Sequence, residues 1–208
     1  MVRYCFVILF LLTSLAFGAD YWPTQPGATF HYTDGFDGTR DVVILPGNWP
    51  GDFYRNDTIV AAWGECWATD VFQIDASGDI VLSHCEYTCE GFIDPDWIDI
   101  EPAIRILDLP LVPGSMATYM VMVNSGADFV SIGVSGPETI TTPAGTFETM
   151  VLSVSSLSAS PYLTRTYWLN RTLGPVRIDD GHVWELERWT GVVANEDMAW
   201  GAMKGLFR

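Results

Sequence analysis

The chain has 208 residues, 49% of them hydrophobic, which suits one domain with a sizeable core. It carries 26 Asp and Glu against 10 Lys and Arg, a formal net charge of −16. That balance repels nucleic-acid phosphates and anionic headgroups at long range, so no nucleic-acid partner is expected.

The N-terminus reads as a secretion signal. Met1-Val2-Arg3 supplies a short positive region, and Tyr4–Leu15 is an apolar run too short for a comfortable membrane span. Ala16-Phe17-Gly18 puts small residues at both cleavage-determining positions, which predicts a mature start at Ala19. The expected organisation is a signal peptide over 1–18 and a single β-rich domain over 19–208, periplasmic or extracellular. No later stretch is apolar for long enough to span a membrane.

Asp20–Gly38 mixes aromatics with turn residues, and Trp22, Phe30, Tyr32 and Phe36 are expected to pack a sheet edge. Asp41–Leu45 alternates as a strand. The loop Pro46–Asp52 displays Trp49 between two helix breakers, where an aromatic can stack on a ligand or fold back on the core. Thr58–Trp63 and Thr69–Asp75 read as short strands, and Ala76–Asp79 as a hairpin turn into Ile80–His84.

Three cysteines follow the signal segment: Cys66, Cys85 and Cys89. An oxidising compartment permits one disulfide and leaves one thiol over. A pairing of Cys66 with Cys85 across neighbouring strands is preferred, with Cys85–Cys89 as the alternative.

Gly91–Glu101 holds Asp94, Asp96, Asp99 and Glu101, read as a solvated acidic loop. These oxygens are candidate calcium ligands, although the glycine-containing spacing of a helix–loop–helix calcium site is absent. No other cofactor is implied. Paired carboxylates also suggest a glycosidase-like hydrolase, but the separation and contrasting pKa values such chemistry needs are not visible in sequence. No nucleophile elbow or phosphate-cradling loop is present. No catalytic residue is assigned.

Ser115–Val123 reads as a core strand whose methionines fill irregular space, and Phe129–Val134 as the next. Gly136-Pro137 reads as a turn. Beyond it, Glu138–Trp189 forms an antiparallel meander punctuated by Pro143-Ala144-Gly145, Gly174-Pro175 and Asp180-Gly181. Within it, Trp168 and Trp184 either line a concave face or complete the core. Ala194–Phe207 reads as a short terminal helix, weakened by Gly201 and Gly205.

The stretch Thr141-Thr142-Pro143-Ala144-Gly145-Thr146-Phe147, the later Tyr167-Trp168 with Gly174-Pro175-Val176-Arg177, and the opening Tyr21-Trp22-Pro23 resemble a group of bacterial envelope domains of unknown function. That group commonly has a further glycine near Arg171-Thr172 and a lysine at Arg177. The resemblance implies a curved antiparallel sheet, related in fold to periplasmic lipoprotein-carrier proteins, and brings no catalytic residue. The expected fold is mainly β: a curved antiparallel sheet or partly open barrel or sandwich with a short C-terminal helix. The expected role is a non-enzymatic binding or accessory protein for an unknown protein or small ligand, with Trp49, Trp168 and Trp184 as candidate contacts. A calcium-stabilised structural subunit is the other alternative.

Overall fold

The computed structural model describes residues 21–49, 52–91, 96–123, 126–157 and 163–191, without the side chains of Asp96 and Trp97. The signal segment, its Ala19 boundary, Asp94 and the proposed C-terminal helix lie outside the described residues.

Twelve strands run in chain order: β1 (Thr29–Thr33), β2 (Thr39–Pro46), β3 (Asp52–Ala61), β4 (Gly64–Ile74), β5 (Ile80–Cys89), β6 (Asp96–Leu107), β7 (Met116–Val123), β8 (Gly126–Thr142), β9 (Gly145–Ser156), β10 (Arg165–Asn170), β11 (Gly174–Asp179) and β12 (Val183–Thr190). Each pairs antiparallel with its neighbour in sequence, and β1 also pairs with β12, from Thr29 opposite Thr190 to Thr33 opposite Glu185. The sheet is therefore a closed barrel, where a curved sheet or a partly open barrel or sandwich was expected. Local patterning marks strands and hairpins, but the pairing of first strand with last is a contact of the whole chain.

Alternation sets the two faces. On β2 the inward positions are Arg40, Val42 and Ile44; on β3 they are Phe53, Arg55, Asp57 and Ile59; on β10 they are Arg165, Tyr167 and Leu169. Two expected boundaries change. Gly136-Pro137 is no turn: β8 runs through it, with the register shifting between Ser135 and Glu138. Gly136 sits at φ 104°, and a Cβ there would lie 3.1 Å from the Thr149 carbonyl oxygen, so glycine suits the bulge. The presumed acidic loop becomes strand β6 from Asp96 onward, because Ile98 and Ile100 alternate with Asp99 and Glu101 and bury the apolar pair. Barrel pairing is thinnest between β6 and β7, which meet at Ile100–Val123 and Glu101–Met122.

Barrel interiors widen with strand number, and eight strands already make one that side chains just fill. Here the strands' own side chains are supplemented from outside the sheet. The segment before β1 inserts Trp22, whose ring packs edge-on against Phe72 and Tyr167, both at 5.2 Å. Phe53 stacks on Phe72 below it. Pro23 lies against Gly174 at the start of β11, where a Cβ would come within 2.4 Å of the proline ring. This end, which also holds the β2–β3, β4–β5 and β8–β9 turns, is plugged. The opposite end carries the β1–β2, β3–β4 and β11–β12 turns. No helix among the described residues is long and apolar enough to cross a membrane.

Candidate functional site

Between the plug and the opposite end lies a network of charges inside the barrel. Asp57 of β3 sits at its centre. It accepts from Arg40 Nε at 2.8 Å, from Arg40 Nη2, and from Arg55 Nε and Nη2 at 2.9 and 3.1 Å. Burial by itself raises a carboxyl pKa; here the Arg40 and Arg55 guanidiniums outweigh it and hold Asp57 down at about 2. Arg40 reaches on through Nη1 to Asp180, 2.6 Å away. Arg165 donates through Nη1 to Asp70 at 2.5 Å and to the Tyr167 hydroxyl at 3.3 Å. Burial raises the Tyr32 and Tyr167 hydroxyls, so both stay neutral, and Tyr32 donates to the Pro175 carbonyl at 2.8 Å. Among the described residues three arginines are thus buried, in a chain with only 10 basic residues, and they are matched by Asp57, Asp70 and Asp180.

Above this network a cavity of about 430 Å³ opens at the unplugged end. Arg40, Arg165 and Asp180 form its polar floor and wall; Trp63, Trp184, Tyr87, Ile59 and Ala68 supply the apolar surface. His182 completes the rim. Its ring meets Trp63 edge-on at 4.9 Å and Trp184 at 4.7 Å, and its Nε2 lies 2.9 Å from Asp34 in the β1–β2 turn. The Trp184 indole donates to Asp180 at 3.2 Å. Burial opposes ionisation of Asp180, but Arg40 and then Arg165 hold its pKa below the ordinary value.

The three sequence-predicted tryptophans separate. Trp184 is buried and lines the cavity. Trp168 follows the outward parity of β10, where its indole donates to Glu138 and the Arg177 guanidinium lies 5.3 Å from its ring. Trp49 is 73% exposed in the β2–β3 turn at the plugged end, remote from the cavity. Of the acidic cluster, Asp99 and Glu101 stand exposed on β6, with Asp99 2.7 Å from His84 Nδ1. Among the described residues no three His, Cys, Asp or Glu side chains form a metal-holding group.

The disulfide joins Cys66 to Cys89, not to Cys85. Strand β5 continues through Cys85 to Cys89, and the β4–β5 register sets Cys66 opposite Cys89 and Asp70 opposite Cys85. Cys85 is a buried free thiol, raised well above its ordinary pKa by burial and then by Asp70, which suits packing and not nucleophilic attack.

Sequence reading passed over Arg40, Arg55, Asp57, Asp70, Arg165, Asp180 and the rim residues Trp63 and His182. A signal was present: Arg40 shares the parity of Val42 and Ile44, Arg55 and Asp57 that of Phe53 and Ile59, and Arg165 that of Tyr167 and Leu169. Charges in the apolar register of a strand mark an interior network.

No protein-family model matches the chain, and no curated protein matches it. Among solved structures it is similar to a protein from Bacteroides fragilis NCTC 9343 described as exported, with a YmcC-like fold. That match has 15% identity and a TM-score of 0.42, and covers 85% of this chain and 100% of that one. It is also similar to a protein from Parabacteroides distasonis ATCC 8503 described as a lipoprotein, at 15% identity and a TM-score of 0.41, over 84% of this chain and 98% of that one.

Proposed function

We propose that the chain is an extracytoplasmic, non-enzymatic binding protein that holds a small amphipathic molecule in the mouth of its barrel. The observation that carries this reading is the cavity of about 430 Å³, walled by aromatics on one side and by buried, mutually paired charges on the other. Small-molecule sites commonly occupy about 300–1,000 Å³, with mostly apolar walls and a few fixed polar groups. The charge network is held in place before any ligand arrives, so binding need not order it. The location rests on the signal-like opening Met1–Gly18 and on the Cys66–Cys89 bond, which an oxidising compartment sustains.

The test uses 1-anilinonaphthalene, a neutral aromatic probe whose fluorescence rises in apolar surroundings. Wild-type protein is expected to bind it saturably at one site, and Ala68→Trp, which puts an indole into the cavity, is expected to abolish that binding while the variant stays folded by near-ultraviolet circular dichroism. Absence of saturable binding, or binding indifferent to Ala68→Trp, overturns the reading.

A further inference from the structure

The two arginines in the cavity wall differ in what they have left to donate. Arg40 spends Nε and Nη2 on Asp57 and Nη1 on Asp180, so every nitrogen is engaged. Arg165 spends only Nη1, on Asp70 and the Tyr167 hydroxyl. Its Nε and Nη2 have no acceptor among the described residues, although the side chain is only 9% exposed and lines the cavity. A guanidinium presents its N–H groups as a planar fork, and one edge of this fork is unanswered. These two nitrogens are not sealed from the cavity, so water can meet them until a ligand does, and the acceptor that matches two parallel N–H groups is a carboxylate.

We propose that the cavity selects a monocarboxylate with a flat apolar body, its two oxygens accepting from Nε and Nη2 of Arg165. This rests on the small-molecule reading above and specifies its ligand class. The body then lies against Trp63, Trp184 and Tyr87. Asp180, the carboxylate in the cavity lining, is bridged by Arg40 at 2.6 Å, so its charge is already answered and does not exclude an incoming anion. A cationic ligand finds the opposite: two guanidiniums and no carboxylate left without a cationic partner in the lining.

The experiment displaces 1-anilinonaphthalene at pH 7 with 2-naphthoate or 2-naphthamide, which share a ring system and differ in charge. The naphthoate is expected to bind on the order of tenfold more tightly than the amide, the gain of a charge-assisted contact. The paired variant Asp70→Asn/Arg165→Gln removes both partners together, so no lone charge stays buried, and it is expected to bind the two competitors equally while retaining the probe. Equal affinities on wild-type protein that binds the probe overturn the carboxylate assignment and leave the cavity reading standing. A preference that survives in the paired variant takes the role away from Arg165. Failure of the probe itself to bind removes both readings.

Discussion

Asp57 is the residue on which the interior depends, because two buried guanidiniums lean on one carboxylate. Asp57→Asn keeps the shape and removes the charge, leaving Arg40 with Asp180 alone and Arg55 with no ionised partner among the described residues. Breaking a buried pair in this way costs about 3–5 kcal/mol, which urea denaturation at pH 7 will read as a lowered midpoint. The same residue sets an acid limit. Its folded pKa, about 2, lies below the ordinary 3.8, so its contribution is complete above the ordinary value and drains away as pH falls through the folded one. Asp180 and Asp34 are also held below 3.8, each against the effect of burial: Asp180 chiefly by Arg40, Asp34 by its bond to His182 and by backbone N–H groups. The unfolding free energy read by urea denaturation is therefore expected to fall from pH 4 toward pH 2, by roughly 2 kcal/mol for Asp57 alone. A flat profile across that window counts against a charged interior.

At the scale of elements, the β4–β5 hairpin shows both what sequence reveals and where it stops. Ala76–Asp79 was legible as its turn because Asp75 and Asp79 flank small residues, and the Asp75 carboxylate indeed accepts from the Ser77 and Asp79 amides. The far end was not legible. Ending β5 at His84 favoured Cys85 as the partner of Cys66, whereas five more paired residues carry the strand to Cys89. Strand lengths are decided by neighbours: β5 continues because β6 covers Cys85 to Tyr87 on its other side. The meander of β8 to β12 was readable for a different reason, since Ala144-Gly145 and Asp180-Gly181 stand between runs of alternating apolar residues. Non-reducing peptide mapping is expected to recover Cys66 joined to Cys89, with Cys85 alkylated only after unfolding. With a sequence separation of 23, losing the bond through Cys66→Ser/Cys89→Ser lowers stability by about 3 kcal/mol.

At the scale of the molecule, closure and filling were the parts that sequence hid. Trp22 was legible as an aromatic near a sheet edge; its place inside the barrel requires twelve strands to leave room for it, which no local pattern states. Trp22→Ala is expected to cost about 3–5 kcal/mol, measured by thermal or urea unfolding, because Phe72 and Tyr167 lose the ring between them. Its affinity for 1-anilinonaphthalene is expected to stay at the wild-type value, since the plug and the mouth belong to opposite ends. That polarity also fixes how the molecule faces its surroundings. The described chain begins at Tyr21 beside the plug, and β12 runs to Thr190 at the same end, opposite Thr29. The segment before β1 and the end of β12 therefore both lie at the plugged base of the barrel. Trp63 and His182 stand at the end of the barrel away from both.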